Sequence, residues 1–449
     1  MVRKYKGKLV LVLRSIVLAP FVILFLLIFF MKLFFYKIKK ARKPAADRGE
    51  KSLLHISSGA STEDVIKKFG TLNFLFSYDG NATEGIFKKN ILYWFPSKNT
   101  LRYYFDEWII FERRLCLAEI ISVILFFYDV ATLYYKYDIL LIRAWDPYLC
   151  GLWACILSFF LDVPFCVSIH SDYDKCFELD PLHGAPTLLG SRRLAKRLEK
   201  FVLHKADLVM PIREHLAEQV VCLGVAPERV KVIPHGIDLT PFEGEMSDGE
   251  KDECRRRFSV PEGKHIVSFV GRLSRENYVY DIIEMVRLLR NKREDFALIM
   301  AGGGNEERAL KKLIESDEEL KGHVRLTGFI SHEEAIKLRR ISDVNLVLMG
   351  GFSLIEACAS GKPVVAYDVE WHNELIRHGE TGSLVPEGDV EGLVSAVDEL
   401  LSNPEKGVEW GEKARRLAFD RHSLEAAMAV KRECYRELLR KGEGASEKG

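Results

Sequence analysis

MGGFSLIEACASGKPVVAYD, Met349 to Asp368, packs a strand end, a glycine pair, a short helix and a second apolar strand into one segment. Gly350 and Gly351 end the strand, and a helix begins near Ser353. The first amides of a helix have no partner within it, so those of Phe352, Ser353 and Leu354 are expected to face an anion, aided by the helix dipole. Glu356 lies about one turn in. A carboxylate there does not suit a phosphate, but it suits two vicinal hydroxyls such as those of a ribose. It also fits as a first-turn partner of the dipole, and what flanks the segment favours the ribose. PVVAYD, from Pro363, is apolar throughout, as a strand buried on both faces must be.

Working outward, the same alternation of strand and helix repeats. HIVSFVG at His265, FALIMAG at Phe296, VRLTG at Val324, VNLVLMG at Val344 and SLVP at Ser383 read as strands. DVEGLVSAVDELL, from Asp389, has its apolar residues at helical spacing behind an Asp N-cap. Three loops sit where strands hand over to helices. GRLSRENY, Gly271 to Tyr278, offers Arg272 and Arg275; it fits a phosphate fork or a plain solvated turn. AGGGNEE, Ala301 to Glu307, centres on Gly303 and fits phosphate or ribose contact, or a tight turn. In LTGFISHEE, Gly328 allows a turn, Phe329 can lie against a base, and Ser331 with Glu334 forms a capping box.

The first half alternates in the same way. Strands are expected at LLHIS (Leu53), NFLFSYD (Asn73), YDILLIRA (Tyr137), PFCVSIH (Pro164), ADLVMPI (Ala206) and RVKVIPHG (Arg229). Continuous apolar strands joined by helices predict parallel sheets covered on both faces, with ligands at the carboxyl ends of the strands. The polar stretch EGEMSDGEKDE from Glu243 is taken as the domain boundary. The division is then 1–50 anchor and basic linker, 51–242 first domain, 243–422 second domain, and 423–449 a last helix ending in a disordered tail, KGEGASEKG.

The ordered series VIPHGID, GRL, AGGG, LTGF, GGFSLIEACASGKPVVAYD and HGETGSLVPEGD resembles the retaining family 4 glycosyltransferases, the glycosyl transferases group 1 of the GT-B fold. The resemblance covers the second half well. It extends more loosely over RAWDPYLCGLWA at Arg143 and VSIHSDYD at Val167. It implies two Rossmann-like doubly wound domains facing a cleft, and transfer of a sugar from a nucleoside diphosphate sugar, UDP- or GDP-linked, with retention. It places Arg272 on the donor diphosphate with the backbone of Gly351, Phe352, Ser353 and Leu354. Glu356 falls on the ribose, Gly328 and Phe329 near the base, and His170 by the transferred sugar. His170 fits a structural strand-end histidine equally well. Two positions depart from the family: Asn277 stands for its usual lysine, with Arg275 as the substitute charge, and Leu348 or Gly350 stands for its first glutamate.

Sixty-five basic residues against 64 acidic ones exclude the basic excess of a nucleic-acid-binding protein. Nine cysteines, irregularly spaced and without CxxC, read as buried thiols in a reducing compartment, and no metal site or cofactor is expected beyond the donor. SIVLAPFVILFLLIFFM, Ser15 to Met31, is uncharged and flanked on both sides by Lys and Arg. It is expected to be an N-terminal membrane helix, spanning or re-entrant at Pro20, against anionic lipids, with the catalytic domains cytoplasmic. The acceptor is then lipid-linked or a saccharide. Two alternatives remain at this stage: a membrane-anchored scaffold with an inactive transferase domain, and a sugar-nucleotide epimerase of the same fold.

Overall fold

The computed structural model describes residues 49–446, apart from 59–61, 64–65, 67–81, 98–99, 115–118, 180–184 and 189. The apolar run Ser15–Met31 and the strand expected at Asn73 lie outside the described residues. Among the described residues no helix is long and apolar enough to cross a membrane.

The chain forms two compact units, one of residues up to Ile233 together with those from Met428, the other Pro234–Ala427. The first unit holds β1 (Lys51–Ser57), β2 (Lys89–Ser97), β3 (Leu101–Tyr104), β4 (Trp108–Arg114), β5 (Asp138–Ala144), β6 (Phe165–Ile169) and β7 (Leu208–Pro211). Their order in the sheet is β3-β4-β2-β1-β5-β6-β7, parallel except for the antiparallel pair β3–β4. The second unit holds β8 (His265–Val270), β9 (Phe296–Ala301), β10 (Val324–Gly328), β11 (Val344–Val347), β12 (Val364–Tyr367) and β13 (Ser383–Val385). The order β10-β9-β8-β11-β12-β13 is all parallel, with its switch point between β8 and β11.

The apolar runs expected as strands are buried in these sheets. Leu54, Ile142, Val167 and Val209 share one core with Phe126 and Leu157; Val267, Leu298, Leu346 and Val365 share another with Ile282 and Leu393. Each such side chain contributes about 1.5–3 kcal/mol by leaving water.

Four expectations are corrected. RVKVIPHG is not a strand: Val230 makes one isolated bridge to Val209, and Pro234 removes a donor beyond it. The second unit starts at Pro234, not at 243, because Leu239 and Phe242 are buried with Leu354, Ile355 and Trp371. The polar stretch taken as a boundary holds the first turns of the helix Asp248–Arg257, started by a capping box of Ser247 and Glu250. Of the tail expected to be disordered, residues 441–446 continue the last helix, Leu424–Ser446. That helix is anchored by buried Met428, Tyr435 and Leu438, and its hydrogen bonds propagate outward from there.

Candidate functional site

The carboxyl ends of β8, β9 and β10 and the loop after β11 meet at the switch point of the second sheet, where doubly wound folds bind ligands. They enclose a cleft of about 480 Å³ lined by Arg272, Gly303, Phe329, His332, Arg339, Phe352, Ser353 and Glu356, among others. That volume suits a drug-sized or nucleotide-sized ligand.

Glycines shape the walls. A Cβ on Gly302 would stand 1.9 Å from the carbonyl oxygen of Gly271, so the second loop lies against the first only as glycine. After β11, the amide of Gly350 donates to His372 Nε2 (3.1 Å), while His372 Nδ1 donates to the carbonyl of Tyr367 (2.9 Å). This buried imidazole pins the glycine pair from below.

The helix Phe352–Ala359 starts at the cleft. The amide of Leu354 is turned inward to the carbonyl of Gly351 (3.2 Å), and its side chain is buried. Phe352 and Ser353 line the cleft; Leu354 and Gly351 do not. Ser353 Oγ donates to the carbonyl of Val270 (3.0 Å) and accepts from Arg339 Nη2 (2.8 Å).

Glu356 is held from two sides. His332 Nε2 donates to Oε1 (2.8 Å), and Arg339 Nε lies 3.4 Å from Oε2. The Arg339 side chain is 1% exposed and its Nη1 has no hydrogen bond among the described residues. Burial presses its pKa down, and the charge of Glu356 works against that. A carboxylate keeps free lone pairs after two such contacts, so Glu356 can still accept from ligand hydroxyls.

Arg272 is exposed at the mouth of the cleft. Phe329 stands 90% exposed there, a free aromatic face on which a base could stack. With Arg272 and Arg339 against the single carboxylate of Glu356, the cleft lining favours an anion.

Arg275 stands outside the cleft lining. Its Nε pairs with Glu306 (3.3 Å) and its guanidinium lies over the Tyr280 ring. The pair and the ring satisfy it where it stands. Asn277 also lies outside the lining; its Nδ2 donates to the carbonyl of Arg272 (2.8 Å) and so shapes that loop. Gly328, at φ +69°, accepts from the amide of Gly302 (2.9 Å) and turns the chain toward Phe329. No carboxylate replaces the family's first glutamate here, since Leu348 is buried and Gly350 has no side chain.

His170 follows β6 in the first unit, and the cleft is built from the second. It lines a narrow cavity with Arg143, Ser168, Met210 and Lys431. Arg143 Nε donates to Ser168 Oγ there (2.9 Å). Sequence reasoning did not single out His332, Arg339, Arg143 or Lys431. The signal for His332 was present, one residue after the capping serine of a loop already chosen.

Comparisons with known proteins agree with this geometry. The family model for glycosyl transferases group 1 matches residues 250–417, and that for glycosyltransferase family 4 matches residues 108–241. The alpha-D-kanosaminyltransferase of Streptomyces kanamyceticus is 30% identical over 292 residues, which is 63% of this chain and 73% of that protein. A glycosyltransferase of Rickettsia africae superposes with a TM-score of 0.65 at 17% identity, over 87% of this chain and 99% of that one. Anabaena HepE, solved in complex with UDP, superposes with a TM-score of 0.62 at 18% identity, over 86% and 99%. At such identities the two structures speak for the fold alone, which is that of the two-domain GT-B glycosyltransferases. Taken with the family models and the kanosaminyltransferase, they show that the chain belongs to the glycosyl transferases group 1.

Proposed function

We propose that the cleft of the second unit holds a nucleoside diphosphate sugar, UDP- or GDP-linked, and that the protein transfers its sugar, with retention of configuration, to a lipid-linked or saccharide acceptor. The observation that carries this reading is the convergence of Arg272, Ser353, Glu356 and Phe329 on one cleft at the switch point. HepE, with its bound UDP, supports a uridine nucleotide.

In this reading Phe329 stacks on the base and Glu356 accepts from the ribose hydroxyls. Arg272 and the amides at the start of the Phe352 helix take the diphosphate. The bond from the anomeric carbon to the diphosphate oxygen breaks, and its electron pair stays on the diphosphate. The acceptor hydroxyl adds to the same face of the sugar and gives its proton to the departing oxygen. Stabilising the charge that builds on the leaving group is the largest service such a site can provide. Arg272 is the group assigned to it; His170 is assigned to the transferred sugar by family resemblance. The catalytic domains act at the cytoplasmic face of a membrane, reached by the N-terminal segment.

The test is nucleotide release from a panel of UDP-, GDP-, ADP- and dTDP-sugars with membrane lipid extract. Release from one donor is expected, lost in Glu356→Ala and reduced about 10²–10³-fold in Arg272→Ala, with Arg275→Ala close to wild type. Full activity in Arg272→Ala would remove the leaving-group role. One specific observation favours a second reading, an inactive scaffold: the missing carboxylate at Leu348 and Gly350. Nucleotide binding without release from any donor would select it.

A further inference from the structure

The amino ends of the strands of the first sheet form one edge, and several chain segments turn there. Lys51 pairs with Asp138, Ser52 with Lys89, and Asn90 with Trp108, so β1, β5, β2 and β4 all begin at this edge. The turn between β3 and β4 closes there, with the amide of Phe105 donating to the carbonyl of Trp108 (2.7 Å). Three helices end there because each leads into the next strand: Glu119–Lys136, Leu149–Leu161 and Arg192–Lys205.

This edge carries large side chains in water. Phe159 is 78% exposed, Tyr104 62% and Phe201 48%. Isolated exposed apolar residues need no explanation, but aromatics gathered at one edge do. Aromatic rings with lysines beside them are the make-up of a membrane–water interface. Lys136 and Lys205 supply the lysines.

The helix Arg192–Lys205, which reaches the edge at Lys205, carries cations along its outer face. Arg193, Arg197, Lys200 and Lys205 are exposed on it, next to exposed Leu194 and Phe201. At 100° per residue these six fall on one contiguous face. None of the four cations is paired with a carboxylate among the described residues. The helix's acidic residue, Glu199, is turned inward, where it accepts from the Tyr148 hydroxyl (3.2 Å). The exposed carboxylates of the edge, Glu50, Asp106, Glu107, Asp162 and Asp207, lie off this helix face, and Asp207 Oδ2 accepts from the Phe165 amide (2.9 Å).

The chain also enters the first unit here. Glu50 accepts from the amide of Asp138 (3.0 Å), and a Cβ on Gly49 would stand 2.6 Å from the Lys136 carbonyl oxygen. The uncharged run ends at Met31, so residues 32–48 separate it from this edge. Seventeen residues span at most about 60 Å, so a membrane holding that run is within reach.

We propose that this edge and the outer face of the Arg192–Lys205 helix dock on an anionic phospholipid bilayer, with Phe159 and Phe201 entering its interface. A helix face of interleaved cations and apolar residues binds such surfaces by joint burial and charge attraction. The inference does not depend on the donor reading, since it uses the first unit alone.

The test uses the full chain in nanodiscs of phosphatidylcholine with or without phosphatidylglycerol. p-Benzoylphenylalanine replaces Phe159 or Phe201, and lipid photo-adducts are counted by mass spectrometry. Adducts at both positions are expected with phosphatidylglycerol, falling at least tenfold without it and in Arg193→Glu/Arg197→Glu/Lys200→Glu. The N-terminal segment is intact in that variant, so a loss reports docking of the edge rather than tethering. These positions are exposed, and an unchanged melting temperature confirms that the variant folds. No lipid adduct, adducts insensitive to both changes, or adducts to a second protein chain instead of lipid would each overturn the proposal.

Discussion

Arg339 decides how the cleft works at the scale of single residues. It is buried, it orients Ser353 through Nη2, and it faces Glu356 through Nε. Removing one member of a buried ion pair leaves the other charge uncompensated and typically costs about 3–5 kcal/mol. Glu356 keeps some contact with water, so the lower end applies. Arg339→Met is therefore expected to lower the melting temperature and to weaken UDP binding in a titration. Arg340→Met, on the neighbouring residue bonded to the carbonyl of Gly244 (2.6 Å), should leave UDP binding unchanged. Equal effects of the two would mean that Arg339 acts only through the general stability of its helix. The sequence KLRRISD shows two adjacent arginines and no reason to prefer either. Only the packing of the helix His332–Ile341 against β8 turns one inward. Arg272 and Glu356 were legible because they follow strand ends, where topology places ligands. Arg275 pairs with Glu306 and lies over Tyr280, neighbours that charge alone does not reveal.

Elements were legible where local signals agreed. β9 and β12 appear in the sequence as unbroken apolar runs, and the Asp389 and Ser331 caps were both readable. β2 and β4 were not, because KNILYWFPS and WIIFERR mix aromatic, charged and proline positions without a clean period. The helix Asp248–Arg257 was missed although its S-x-x-E signal, Ser247 to Glu250, was present, since its faces carry almost no apolar residues. The caps matter beyond bookkeeping. The box at Ser331 fixes the first turn of His332–Ile341, the helix that presents both His332 and Arg339 to the cleft. Ser331→Ala removes the acceptor for the Glu334 amide (3.2 Å) and should cost about 1 kcal/mol. That corresponds to a drop of roughly 2–4 °C in the melting transition of the second unit, measured by scanning calorimetry. A melting point unchanged within 1 °C or so would mean that water replaces the serine and that tertiary contacts alone hold the helix start.

At the scale of the whole molecule, the last helix belongs to both units. Leu424–Ala427 lie in the second, and the helix from Met428 onward lies in the first. Met428, Cys434, Tyr435 and Leu438 are buried, and the Tyr435 ring meets Phe87 edge-on at 6.1 Å between centroids. Burial lifts the Cys434 thiol to about 11. The first unit therefore finishes its core with residues synthesised after the second unit. Withdrawing three large apolar side chains at about 1.5–3 kcal/mol each removes much of the stability of an ordinary domain. Ending the chain at Ala427 is thus expected to unfold or strongly loosen residues 49–233 while sparing 234–427. The cleft proposed for the nucleotide is built wholly from the second unit, so UDP binding should survive where transfer is lost. Limited proteolysis followed by mass spectrometry, with a UDP titration on the same sample, separates the cases. Rapid cleavage confined to the first unit, with UDP affinity kept, is the expected result. Equal resistance in both units would show that the helix only lies on the first unit's surface. Loss of UDP binding together with the first unit's fold would show that the second unit does not stand without it.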